Sequence, residues 1–290
     1  MRQLHSGPAV EYAMTATGLA FYAAAFAGLL LSGTTTISPS ADPGAARITL
    51  WAAVVPVLAA MVLARLVPPR VPVPEPLTDL DGRRITRETW VLVAAAVVFP
   101  VAVAGISDTL WYPSAKVLLF LIVPLAAFRL NRGGEGPRAR AVPAPATWLA
   151  PLPAAAAWVL LSEVVFARPL TQDLPDPITL AVGSLITLLT AGVLEEVFYR
   201  GWLQTRLEAA FGPWPAILIG SLLFALMHAG SHLDGGASWV GIASLVAYHG
   251  MFGLMQGYLW ARYRNIWVLI AIHAVVNLVY VDFLVQAVTQ

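Results

Sequence analysis

"AGVLEEVFYRGW", residues 191–202, sets Glu195, Glu196 and Arg200 inside an apolar stretch that runs from about 178 to 209. At about 1.5 Å per residue that stretch is about 48 Å long, more than the ~20 apolar residues a membrane span needs. It therefore tilts through a bilayer or projects beyond it. The rest of the chain agrees with a membrane reading. Of 290 residues, 59% are hydrophobic and 11% charged, against about 25% charged in soluble domains. The mean hydropathy is +0.75. The net charge of +1 provides no field to draw nucleic acid. The absence of cysteine excludes disulfides, thiolate metal sites and a cysteine nucleophile. The first residues, "MRQLHSGPAVEYAM", lack a clean signal-peptide cleavage site, so the first apolar segment reads as a retained helix.

Nine apolar segments are long enough to span, near 10–31, 48–67, 89–107, 111–129, 147–167, 178–209, 214–230, 238–262 and 265–286. Arginine alternates across their connections. Arg65, Arg70, Arg83, Arg84 and Arg87 fall in one, and Arg129, Arg132, Arg138 and Arg140 in another. The alternate connections hold only Arg47 and Arg168. Arginine-rich loops are cytoplasmic, which predicts an all-α polytopic bundle of about nine spans with its N-terminus inside. A Gly/Pro-rich hinge at 132–146 divides a four-helix region, 1–146, from a five-helix region, 147–290, and a Pro-rich run at 67–76 reads as a stiff linker. Nearly all buried ionisable candidates fall after residue 147, so function is expected there. Glu11, Lys116 and Glu163 are read as snorkelling near helix ends.

A charge at the bilayer centre costs roughly 2.5–3.5 kcal/mol on insertion scales, so three within six residues need a reason. Glu196 and Arg200 stand four apart on one face and can pair. Glu195 is rotated by about 100° and has Tyr199 at its i+4 position. It reads as a free carboxylate, suited to act as a general base. On the next helix, His228 lies as far beyond Trp214 as Glu195 lies before residue 209. Each is about 21 Å from the shared end, so the two can meet at one depth. His232, four residues past His228, is expected beyond the helix end set by Gly230. His249 reads as structural. On the last helix His273 and Asn277 share a face near the same level. Gly250, Gly253 and Gly257 permit close helix approach.

In order and spacing, "EEVFYR" (E-E-x-x-x-R), "FALMH" (Phe224–His228, F-x-x-x-H) and "HAVVN" (His273–Asn277, H-x-x-x-N) resemble the CPBP intramembrane protease family. That family includes type II CAAX prenyl endopeptidases and bacteriocin-processing or self-immunity (Abi) proteins. The resemblance covers roughly residues 178–285. It implies an endopeptidase acting on a membrane protein or peptide within the bilayer, in a multi-pass protein of a prokaryotic plasma membrane. It also implies roles: Glu195 as base acting with His228 on a water, His273 and Asn277 holding the oxyanion, Glu196 and Arg200 supporting the site, and Phe224 packing beside it. Whether a metal takes part stays open. Glu195, His228 and His273 could ligate zinc with water as the fourth ligand, yet H-E-x-x-H is absent. Two other readings stand beside the protease: a noncatalytic scaffold, regulator or immunity protein of the same family, and a transporter using the Glu/His cluster. There is no G-x-S-x-G elbow, and the aspartates fall in loops or at helix ends, which disfavours serine and aspartyl chemistries.

Overall fold

The computed structural model describes residues 7–39, 46–69, 71–73, 77–78, 80–106, 110–131, 145–167, 176–232 and 238–278. Among them nine principal helices follow one another. They are α1 Pro8–Leu31, α2 Leu50–Leu66, α3 Gly82–Val103, α4 Trp111–Asn131, α5 Leu152–Val165, α6 Pro177–Phe211, α7 Pro213–Met227, α8 over 239–263 and α9 Ile266–Asn277. Each falls on one of the apolar segments expected from the sequence. By length and composition α1, α3, α4 and α6 can cross a membrane, and α2, α5, α7 and α9 are apolar but shorter. The chain is an all-α bundle of the integral-membrane kind. Two short strands, β1 Thr36–Ile37 and β2 Ile48–Thr49, pair antiparallel between α1 and α2. Two-residue strands are too brief to leave an alternating pattern, so they were not expected. Most of the hinge (132–144), parts of the linker (70 and 74–76) and the end of the last expected segment (279–286) lie outside the described residues.

Side-chain caps start several helices. Thr49 accepts from the Ala52 amide at 3.2 Å and Asp81 from Arg83 at 3.1 Å. Asp176 accepts from Ile178 and Thr179 at 3.0 and 3.1 Å, and Asn265 from Trp267 at 3.1 Å. Such caps contribute about 1 kcal/mol each by giving orphan amides a partner. Gly212 turns the chain from α6 into α7 at φ +87°, where an L side chain is strained. A Cβ there would also lie 2.6 Å from the Glu11 carboxylate. This turn makes α6 and α7 antiparallel neighbours.

The helices that carry the site are locally underwound in the wide π sense. α6 has π turns at Leu188–Val193 and Val197–Gln204, on either side of a single α turn, Leu194–Glu196. α4 has one at Leu118–Ile122, just past Lys116, and α8 has one at Val246–Gly250, around His249. π turns concentrate at functional sites because the extra residue re-aims the side chains around it.

One core joins both halves of the chain. Phe99 of α3 packs on Phe120 of α4 at 4.8 Å between ring centroids, and Phe120 stacks on Phe198 of α6 at 4.3 Å. Tyr199 then meets Phe224 of α7 edge-on at 5.3 Å. Each such pair is worth about 0.5–1.5 kcal/mol beyond its buried area. Within the same core Glu88 of α3 is fully buried. Its Oε2 accepts from Arg206 Nε and Nη2 at 2.8 and 2.7 Å, and its Oε1 from Arg84 Nε at 2.8 Å. The N-terminal region therefore carries buried charges, contrary to the expectation that nearly all lie after residue 147. Glu163 is buried as well, not snorkelling.

The glycines of α8 face neighbours closely: a Cβ would come within 3.0 Å of Tyr22 at Gly250, 3.1 Å of Ser221 at Gly253 and 2.8 Å of Gln204 at Gly257. Gly230 does not end α7. The helix breaks at His228, and Ala229–His232 forms a further helical turn. Gly230 is there because α3 passes against it, with a Cβ placed 2.6 Å from the Pro100 carbonyl oxygen. Gly230→Ala should therefore destabilise by about 1–3 kcal/mol through overpacking, exceeding the ~1 kcal/mol an alanine gains in a helix. Denaturant unfolding in detergent measures this, and an alanine variant as stable as wild type would contradict the close packing.

Candidate active site

Glu195, Glu196 and Arg200 point inward from α6, with relative exposures of 1, 0 and 2%. Glu196 is held on two sides. His273 Nδ1 donates to its Oε1 at 2.6 Å, and Arg200 Nη1 lies 3.3 Å from the same oxygen, an ionic contact without hydrogen-bond geometry. Arg200 also donates through Nη2 to the Gly253 carbonyl at 3.3 Å, and its guanidinium sits 4.6 Å from the centre of the Phe224 ring. The i,i+4 pairing expected of Glu196 and Arg200 is present.

Glu195 is not the free carboxylate expected from the sequence. Its Oε1 accepts from Lys116 Nζ, a side chain buried from α4. The correction has a plain cause. Both charges are removed from water, and each would cost several kcal/mol if left alone there. The second oxygen, Oε2, has no hydrogen bond among the described residues and lies 3.8 Å from His273 Nε2.

His228 closes α7, its Nδ1 donating to the Phe224 carbonyl at 2.9 Å. A carbonyl can only accept, so the neutral ring carries its lone pair on Nε2. His228 and His273 both pack on Phe224, at 5.1 and 5.8 Å between centroids. Phe224 is thus the hub on which both imidazoles and the Arg200 guanidinium rest. His249, read as structural, lies flat on His228 at 3.7 Å and 12°. Gln256 of α8 donates to the Leu269 carbonyl at 3.0 Å, one turn before His273, and braces α9 there. Asn277 ends α9 half-buried, four residues past His273.

Five of the six candidate residues thus gather around Phe224, Glu196 and Glu195, while Asn277 stands at the rim. Lys116, expected to snorkel, is instead buried against Glu195; His249 was expected to be structural, and Gln256 was not singled out. Lys116 was the legible one, a lone cation in the apolar run "WYPSAKVLLFLIV" (111–123) with no acid on its own helix.

The trio Glu195, His228 and His273 does not fit a zinc ion as placed. Among the described residues no three His, Cys, Asp or Glu side chains converge as an ion requires. Glu195 Oε1 is committed to an ammonium group.

Buried carboxylates, imidazoles and an arginine inside an apolar helical bundle define a membrane protein with an enclosed cluster of ionisable side chains. Residues 177–279 match the family model described as type II CAAX prenyl endopeptidase Rce1-like. That segment contains all three motifs, and the family whose model it matches is the one they resemble. Helices α1 to α5 lie outside the matched residues. No curated protein and no solved structure matched the chain.

Proposed function

We propose that the protein is an intramembrane endopeptidase that hydrolyses a peptide bond of a membrane protein or peptide, in or near the bilayer. In this reading all nine helices span or insert, with the N-terminus inside, in a prokaryotic plasma membrane. Glu195 Oε2 takes the proton of a water that His228 Nε2 also orients. The hydroxide formed attacks the scissile carbonyl while donors from His273 and Asn277 stabilise the oxyanion; collapse of the tetrahedral intermediate breaks the C–N bond, and Glu195 returns its proton to the leaving amine. His273 can present an N–H at Nε2 only as an imidazolium, because its Nδ1 proton is given to Glu196. The Glu196 carboxylate is the counter-ion such a cation needs, and Arg200 holds it in place.

The observation that carries this reading is Glu195 itself. It is a carboxylate shielded from water, with one oxygen fixed and the other directed beside an imidazole. The test compares the membrane proteomes of cells expressing wild type and Glu195→Gln. A membrane protein shortened only in wild-type cells is the expected result and names the substrate. Identical proteomes, with both proteins equally expressed, would overturn the reading.

A further inference from the structure

We infer that Lys116 is a positioning residue for the proposed base: by holding Glu195 Oε1 it leaves Oε2 as the oxygen that takes the proton from water. The inference rests on the proteolytic reading and extends it to a residue outside the matched segment 177–279.

Three observations support it. The ammonium group of Lys116 meets one carboxylate oxygen only, and the other oxygen faces His273 Nε2 at 3.8 Å. A glutamate is free to turn about its terminal torsion and exchange its two oxygens; an ammonium fixed against one of them removes that freedom. Lys116 is itself fixed. Its Nζ lies 4.7 Å from the centre of the Tyr112 ring one turn earlier. Four residues on, Phe120 is stacked on Phe198, the third residue after Glu195. The same aromatic contact therefore sets the distance between α4 and α6 and delivers the lysine to the carboxylate. Glu196, by contrast, finds its partners Arg200 and His273 within the matched segment. Of the two acids, it is the proposed base whose partner among the described residues comes from the other half of the chain.

A positioned group acts on the chemical step and not on substrate affinity. Displacing a reacting group by about 1 Å costs about 10²-fold in rate. The test uses the full chain in proteoliposomes. Its probe is the membrane protein cut in wild-type but not in Glu195→Gln cells, and kcat is expressed per folded molecule. Lys116→Met should lower kcat by about 10²-fold with KM unchanged. Lys116→Arg, which restores a cation at a slightly different place, should recover part of it. A lysine with a merely structural role would change the folded fraction and leave kcat per folded molecule alone. Wild-type kcat in Lys116→Met beside an inactive Glu195→Gln would overturn this inference only, whereas cleavage by Glu195→Gln would overturn the proteolytic reading. Should Lys116→Met not fold, Lys116→Arg decides: a reduced kcat at constant KM supports the role, and a full wild-type kcat overturns it.

Discussion

Glu88→Ala should remove about 3–5 kcal/mol of unfolding free energy, the range found when one partner of a buried ion pair is deleted. Glu88 has no exposed surface and accepts three hydrogen bonds, two of them from the fork of Arg206. Arg206 is buried too, its guanidinium 4.2 Å from the centre of the Phe128 ring. Truncating the acid leaves that cation without a counter-charge, and its remaining bond to the Trp202 carbonyl at 3.1 Å is a poor substitute. Glu88→Gln keeps the volume and one acceptor and should lose roughly half as much, since a neutral acceptor makes the weaker hydrogen bond. Denaturant titration in detergent separates the two variants. A loss under about 1 kcal/mol for Glu88→Ala, the scale of an exposed pair, would show that Arg206 reaches solvent and that the α3–α6 contact is looser than described.

Arg200→Met should cost a similar 3–5 kcal/mol and also disorder the candidate site. Arg200 joins the Glu196 carboxylate, the Gly253 carbonyl of α8 and the Phe224 ring of α7. Methionine supplies the packing volume but none of the charge, so Glu196 is left with the hydrogen bond from His273. Arg200→Lys should recover only part of the stability, because an ammonium cannot serve carboxylate, carbonyl and ring face from one plane. Unfolding midpoints of the three proteins give the order wild type, lysine, methionine. A methionine variant equal to the lysine variant would mean that the guanidinium contributes volume alone.

Much of this architecture could be read from hydropathy, because a membrane helix advertises itself by composition over about 20 residues. The pairs formed along one helix were legible for a similar reason. Glu196 and Arg200 are four apart, and spacing alone places them on one face. What sequence spacing could not express is contact between distant helices. Glu195 meets Lys116 across 79 positions, and Arg206 meets Glu88 across 118. The clue in both cases was energetic. A lone acid and a lone base in apolar surroundings each require a partner, and counting unpaired charges would have joined Lys116 to Glu195 where counting residues per turn did not. The depth argument for His228 used a uniform rise per residue, which the π turns of α6 do not obey. His228 nevertheless reaches the same aromatic hub as His273, because both histidines pack against Phe224.

The wide turns of α6 change what a single-residue gap would mean. Between Val197 and Gln204 the backbone holds more residues per turn than an α-helix would. Losing one of them lets that stretch tighten into ordinary α geometry while the helix beyond it keeps its bearing, whereas the same loss from a regular α-helix would swing everything downstream by about 100°. Glu195 and Glu196 would keep their bearings, and beyond the turn Arg206 would stay on Glu88 and Glu208 on Arg264. A deletion here acts as a local tightening rather than a twist, so chains that differ by one residue in this turn still point the same flanking side chains at α3 and α8.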